Sequence, residues 1–373
     1  MRRKFSAVVI AAVVVGTATM LVLLFAPNDS SEQGQQVRNP ARSTSSSAPT
    51  TLPTTTTIRL RRGSLQPVTF AFGGDVHFEK HLRSKLDANP TQMFAPIAGD
   101  LSAADIAMVN FEAAITERGT PDPKQYNFRA PERALDALKS AGVDVVTIAN
   151  NHGRDYGTVG MADTLTAKAA GRLPIVGVGK DAAEAYSPWR TQVKGQNIAI
   201  FGASDVIETS LRSQWIASST QAGIASSEPE EEAQLLAAII AERSIADTVV
   251  VYLHWGPEAV DCPDDRQKQL ASSLLVAGAD IVVGTHAHRV MGAGRLGAGF
   301  VAYGLGNFAF YNESGGSGIT GVLTVTATGR DVDAYAWRPA RIRGGIPTPL
   351  SGEAAAADIS SFEQRRACTG LMG

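Results

Sequence analysis

Val68-Thr69-Phe70-Ala71-Phe72-Gly73-Gly74-Asp75-Val76-His77 sets a run of apolar residues directly against a glycine pair, a carboxylate and an imidazole. The apolar run reads as a buried strand, and the glycines mark where it stops. The same order recurs along the chain. Ile106-Ala107-Met108-Val109 stops at Asn110-Phe111-Glu112, and the stretch 143–149 stops at Asn150-Asn151-His152. Residues 198–201 continue the pattern, 249–253 end at His254, 281–283 run into Gly284-Thr285-His286, and 301–303 precede Gly306-Asn307. Ala- and Leu-rich stretches at 134–140, 230–243 and 267–276 read as helices between them. Such alternation predicts a layered α/β fold with buried sheets. Strand after strand finishes in a polar or metal-binding residue, at the sheet edge where loops converge and ligands bind. Alternating residues over 319–337 predict closing antiparallel strands, and 67–345 reads as one catalytic domain, with 346–373 as a tail.

The N-terminal part has a different character. Met1-Arg2-Arg3-Lys4 precedes an uncharged apolar run over 5–26. As a helix this run spans about 33 Å, enough for a bilayer core of roughly 30 Å. The expectation is a transmembrane anchor over 1–27, with a cleaved signal peptide as the rival reading. Basic residues ahead of the span place the bulk of the chain outside, as a single-pass cell-membrane protein with an extracytoplasmic catalytic domain. Residues 28–66 read as a linker: eleven of the seventeen residues 41–57 are Ser or Thr and two are Pro. Its end, Ile58-Arg59-Leu60-Arg61-Arg62, reads as a solvated basic cluster.

Charge divides along the same boundary. Residues 1–66 hold eight Lys/Arg and two Asp/Glu, leaving 26 and 34 for residues 67–373. A net acidic domain lacks the basic stripe of a nucleic-acid binder, so that class is excluded. The two cysteines, Cys262 and Cys368, both fall on the expected outer side. There a disulfide and a pair of thiols are both open readings.

Five of the six histidines lie in strand-end motifs: His77, His152, His254, His286 and His288. His81 reads as a surface residue on the following helix. At i and i+2 on an extended segment, His286 and His288 would face the same side and reach two neighbouring cations. Asp75-Val76-His77 repeats that spacing with an oxygen and a nitrogen donor. Carboxylate offsets the repulsion between cations, and imidazole suits transition metals. Asn151 offers an amide oxygen, and His152 a titratable group able to protonate a leaving oxygen. Glu112 adds a carboxylate as ligand or as orienter. Asp75, His77, Asn151, His254, His286 and His288 are thus the candidate ligands, with Glu112 beside them.

Six ordered blocks carry a family resemblance. Gly74-Asp75-Val76, Asn110-Phe111-Glu112, Asn150-Asn151-His152 with Asp155-Tyr156-Gly157, His254-Trp255-Gly256-Pro257-Glu258, His286-Ala287-His288 and Leu305-Gly306-Asn307-Phe308 resemble those of the CapA-type poly-γ-glutamate capsule synthesis proteins. That family is related to the calcineurin-like metallophosphoesterases. The resemblance implies a four-layer α/β/β/α sandwich with two divalent metals, of Mn, Fe or Zn. It implies Asp75, His77 and His288 around one metal and Asn151, His254 and His286 around the other. Asp75 or Glu112 would bridge, and His152 would be the general acid. Asn110-Phe111-Glu112 stands where the phosphoesterase pattern has an Asp block, and Ala259-Val260 where the family often has an aromatic. The implied role is capsule polymer synthesis or export, with an anionic polymer or phosphoester as substrate and polymer synthase subunits as partners. The alternatives are a phosphodiesterase or phosphatase acting on envelope phosphates, and a non-enzymatic accessory subunit.

Overall fold

The opening strand buries both of its faces, and that fixes its place in the middle of the molecule. In β1 (Val68–Val76), Val68, Phe70 and Phe72 enter one apolar core and Ala71 and Val76 enter another. A strand buried on both sides belongs inside a layered sheet. The computed structural model describes residues 63–373. The expected anchor over 1–27 and most of the linker expected over 28–66 lie outside the described residues. Among the described residues, no helix is long and apolar enough to cross a membrane.

The remaining strands of the two large sheets are β2 (Ile106–Phe111), β3 (Val145–Thr147), β4 (Ile175–Val176), β5 (Trp189–Val193), β6 (Gln196–Ser204), β7 (Thr248–Trp255), β8 (Ile281–His286), β9 (Ala293–Leu296), β10 (Gly299–Ala302), β11 (Asn307–Ala309), β12 (Ile319–Thr328), β13 (Asp331–Arg343) and β14 (Ile346–Pro349). The first sheet runs β14-β13-β12-β1-β2-β3-β4, with β11 pairing alongside β1. The second runs β9-β10-β8-β7-β6-β5. Their inner faces share one core, in which Phe70, Phe72, Met108 and Val145 meet Ile200, Tyr252 and Val283.

Helices cover the outer faces. α1 (His81–Ala88), α2 (Ala95–Ser102), α3 (Arg133–Ser140) and α4 (Gly157–Ala170) place Leu82, Leu101, Leu135 and Met161 in the core outside the first sheet. α5 (Glu232–Glu242) and α6 (Asp265–Ala277) place Leu235, Ile239 and Leu270 outside the second. The order is helix, sheet, sheet, helix, as expected.

Both sheets are parallel at their centres. β1 pairs parallel with β2, β2 with β3, β6 with β7, and β7 with β8. Parallel strands end at a common edge, so Asp75, Glu112, His254 and His286 arrive together. β1 does not stop at its glycines; it continues to Val76 with a register shift between Phe72 and Asp75. A Cβ at Gly74 would lie 1.9 Å from the Gly306 carbonyl oxygen, so this crossing admits only glycine.

The closing segment is more built than a tail. After β14, α7 (Gly352–Gln364) lays Phe362 flat against Trp337, ring centroids 4.7 Å apart. The Trp337 indole donates to Asp358 at 3.0 Å, which also pairs with Arg341 at 2.6 Å. Cys368 then bonds to Cys262 across 106 residues, resolving the two readings of the cysteines in favour of the disulfide.

Closing a loop of that length restricts the unfolded chain, worth about 5 kcal/mol in the chain-entropy model. The double substitution Cys262→Ser/Cys368→Ser is expected to lower unfolding stability by about that amount. Urea denaturation with and without reductant measures it, and the reductant should affect only the wild type.

Candidate metal centre

Two carboxylates lie buried side by side at the shared strand-end edge. Asp75 closes β1, Glu112 follows β2, and both are fully buried. Asn110, in register with Asp75, donates through Nδ2 to Asp75 Oδ1 at 2.8 Å. The His286 backbone N–H donates to Asp75 Oδ2 at 3.2 Å. Neither oxygen of Glu112 has a hydrogen-bond partner among the described residues. Burial, reinforced by the Asp75 charge, pushes Glu112 well above the ordinary carboxylate range. Such an orphaned buried carboxylate is the local signature of a site for a cation.

His288 faces the same two groups. Its Nδ1 lies 3.3 Å from Asp75 Oδ2. Burial opposes its charge, but Glu112 and Asp75 outweigh burial and push the imidazole up to about 9. One donor atom each from Asp75, Glu112 and His288 lies within 4.8 Å of the others.

A second donor set adjoins the first. His254 Nε2 lies 2.8 Å from Asn151 Oδ1 and 3.0 Å from His286 Nδ1. It is also 4.0 Å from Glu112 Oε1, so Glu112 stands between the two sets. On the far side of the ring, Nδ1 is 3.1 Å from Asn110 Nδ2 and 3.3 Å from Thr285 Oγ1. Of those two, only the hydroxyl can accept a ring proton, and when it does the Nε2 lone pair is free for the cluster. Burial first, then the neighbouring histidines, hold His254 well below its ordinary value. Burial and His288 take His286 down to about 3. Both rings are neutral at pH 7, the form that binds a metal.

The segment does not stay extended through both histidines: His286 ends β8 and the chain turns there. His286 has φ +89° and His288 φ +52°, so the backbone turns through left-handed conformations. The two rings meet with centroids 5.9 Å apart because of that turn, not because of a two-residue pleat. Non-glycine residues rarely hold such angles, and a pair of them marks a turn whose surroundings enforce it.

His77 is placed differently from its neighbours. Its ring is fully buried, with Nδ1 3.1 Å from the Glu79 amide and Nε2 3.2 Å from the Tyr311 amide. Backbone amides thus lie against both nitrogens, so the one nitrogen that carries a lone pair in the neutral ring faces an N–H and not an open cation position. The structure brings Asp75, Glu112, Asn151, His254, His286 and His288 together and leaves His77 in an aromatic wall of Phe128, Phe310 and Tyr311. His81 is exposed, as expected.

His152 lies beside the donors rather than among them. Its Nε2 is 3.8 Å from Glu112 Oε1, and its Nδ1 is 2.6 Å from Asp155 Oδ2. Phe128 stacks on the ring at a centroid distance of 4.0 Å. Burial first, then Lys124, lowers His152 well below its ordinary value. Burial raises Asp155 to about 7 against the pull of Lys124. Lys124 was not legible as a site residue. It lies on an irregular loop between Ile115 and Arg129, and only its downstream neighbour Phe128 belongs to an apolar pattern.

An α/β domain whose strand ends gather two carboxylates, an amide and three imidazoles defines a protein with a candidate metal centre. Its family model is that described as bacterial capsule synthesis protein PGA_cap, matched over residues 69–312, and the chain belongs to that family. It is 31% identical over 254 residues to the capsule biosynthesis protein CapA of Bacillus anthracis, covering 66% of this chain and 60% of that one. It is 32% identical over 245 residues to the PGA biosynthesis protein CapA of Bacillus subtilis, covering 64% and 62%. The chain therefore spans about three-fifths of the length of these relatives. Among solved structures, a hypothetical protein of Thermus thermophilus aligns with TM-score 0.46 at 18% identity, covering 73% of this chain and 99% of that one. The sulfate thiohydrolase SoxB of the same organism aligns with TM-score 0.43 at 14% identity, covering 80% and 60%.

His288 holds a proton at pH 7, and burial with the Asp75 charge shifts Glu112 towards its protonated form, so an entering divalent cation must displace protons. Cation binding is therefore expected to release protons, and apparent affinity to rise with pH up to about 9, by as much as about tenfold per unit for each proton lost. Calorimetric titration with Mn²⁺ from pH 6 to 9, in buffers of different ionisation enthalpy, measures both. A pH-independent affinity would mean that these residues are not the ligands.

Proposed function

We propose that the domain is a metal-dependent hydrolase of the phosphoesterase type, working outside the membrane in the synthesis or export of a poly-γ-glutamate-type polymer. The observation that carries the hydrolytic reading is Glu112: a buried carboxylate with neither oxygen hydrogen-bonded among the described residues, flanked by Asp75 and His288 on one side and His254 on the other. That donor set would suit two divalent ions of Mn, Fe or Zn. Asp75, Glu112 and His288 would hold one, and Asn151, His254 and His286 the other. A bound divalent cation supplies Lewis acidity toward a phosphoryl oxygen.

The chain's own residues supply the rest. Asp155, raised to about 7, can carry a proton and donate it to His152 Nδ1. This leaves the ring's own proton on Nε2, facing the site, to pass to a leaving oxygen while Nδ1 takes the Asp155 proton. Phe128, packed flat on His152, keeps that ring from turning. The Cys262–Cys368 bond supports an oxidising, extracytoplasmic location. Family membership and the names of the Bacillus relatives support the choice of polymer.

The net acidity of residues 67–373 favours a second reading. A long polyanion is repelled by a domain of its own sign, so a compact phosphodiester or phosphomonoester of the cell envelope is the better electrostatic fit. An accessory role without hydrolysis is the third, in keeping with the name of a Mycobacterium tuberculosis relative, a probable polyglutamine synthesis accessory protein 26% identical over 192 residues.

Mn²⁺-loaded protein is expected to hydrolyse bis(p-nitrophenyl) phosphate. His254→Ala and His286→Ala should each lower the rate about 100-fold with circular dichroism unchanged, in line with the loss of a ligand. Chelation should abolish activity and Mn²⁺ restore it. Unchanged rates in both variants would sink the hydrolytic site, and wild-type inactivity with full metal loading would leave the accessory role.

A further inference from the structure

Lys124 is a charged side chain with almost no contact with water. Its side chain is 1% exposed, and Asp155, its ion-pair partner at 2.6 Å, is fully buried. Its ammonium also donates to the Asn151 carbonyl oxygen. The remaining side of the ammonium faces the Trp215 ring, 4.8 Å from the centroid. Burying an ammonium this completely is unfavourable unless its donors are used. Here they are used on two members of one turn.

The two contacts act on different groups. Asn151 turns its carbonyl to Lys124 and its amide oxygen to His254 Nε2. Asp155 divides its carboxylate. Oδ2 takes His152 Nδ1 and the Phe128 amide at 2.5 Å, while Oδ1 has Lys124. The loop that carries Lys124 is itself fixed. The Asp122 N–H donates to the Asp155 carbonyl at 2.8 Å, and the Trp215 indole donates to Asp122 at 2.8 Å. The lysine therefore reaches the turn from a braced support.

We propose that Lys124 is the positioning residue of this site, a single ammonium that sets Asn151 against His254 and, through Asp155, sets His152 against Glu112. It touches neither substrate nor donor atoms, and it acts by holding an amide oxygen and a proton-transfer imidazole in one frame. The proton-transfer half of this assignment rests on the hydrolytic reading given above. The Asn151 half does not.

The test uses the full chain with Lys124→Met, Lys124→Arg, Asp155→Asn and the double variant Lys124→Met/Asp155→Asn. Lys124→Met should weaken Mn²⁺ binding about 10- to 100-fold, the usual loss when a residue behind a ligand is removed. Lys124→Arg should recover most of it, because it keeps a buried donor to both oxygens. On phosphodiesters, Lys124→Met should lower kcat with KM little changed. The loss should be about tenfold greater for a phenyl than for a p-nitrophenyl leaving group, matching His152→Asn, because a poor leaving group depends more on a proton donor. A purely structural role would lower both esters equally. If Lys124→Met does not fold, the double variant removes both charges and carries the same measurements. Wild-type Mn²⁺ affinity together with a wild-type leaving-group dependence in a folded variant would overturn the proposal. If wild-type protein hydrolyses neither ester, the hydrolytic reading fails alone. Mn²⁺ affinity then decides Lys124: a tenfold loss upholds it and no loss overturns it.

Discussion

Two carboxylates held out of water at the meeting edge of two sheets are the constraint to which the rest of this structure answers. Neither Asp75 nor Glu112 reaches solvent, and burial together with the Asp75 charge raises the proton affinity of Glu112. The surroundings compensate Asp75 with an amide, a backbone N–H and an imidazole. Glu112 they leave uncompensated among the described residues. A stable fold does not keep a bare buried carboxylate without reason, so the shortfall reads as reserved coordination. The parallel strand centres, the glycine crossing at Gly74 and the left-handed His286 and His288 all serve to deliver donors around that gap.

The electrostatics sort the histidines by position. Those of the second donor set are pushed towards neutrality by burial and by each other, whereas His288, facing both carboxylates, is pushed towards charge. One edge thus holds imidazoles of opposite protonation state a few ångströms apart. That arrangement lets cation binding, proton release and the protonation of His152 be linked through Glu112, which lies within 4.0 Å of both His152 and His254.

Much of this was legible in the sequence, and the reason is periodicity. Apolar runs ending in polar blocks predict strand ends, and strand ends converge in a parallel sheet; hence Asp75, Glu112, His254 and His286 could be grouped before any coordinates. What failed to read was direction. The spacing of Asp75-Val76-His77 says nothing about the backbone amides of Glu79 and Tyr311 that face the His77 ring, since Tyr311 is far away in sequence. Equal spacing in His286-Ala287-His288 groups two rings that do lie together, but through a turn and not a pleat, because backbone angles are not encoded in an H-x-H pattern. Lys124 carries no periodic signal at all. Its importance comes from a loop that bends back onto the Asn150-Asn151-His152 turn. The partnership of Cys262 and Cys368 likewise depends on a long-range fold, as does the packing of Phe362 on Trp337 that turns the expected tail into a helix.

The place of β1 in its sheet governs how the chain can come to this state. Its neighbour on one side, β2, follows closely, whereas on the other side Val68 pairs with Ala327 and Phe72 with Leu323. The strand that carries Asp75 is therefore made first and completed last. Until β12 exists, one edge of β1 is open and two aromatic rings of the inter-sheet core are uncovered. Non-local pairing of this kind slows folding. A fragment ending before residue 319 leaves Val68–Phe72 unpaired on that edge, so the strand that carries Asp75 is fully flanked only in a chain long enough to close over its own beginning.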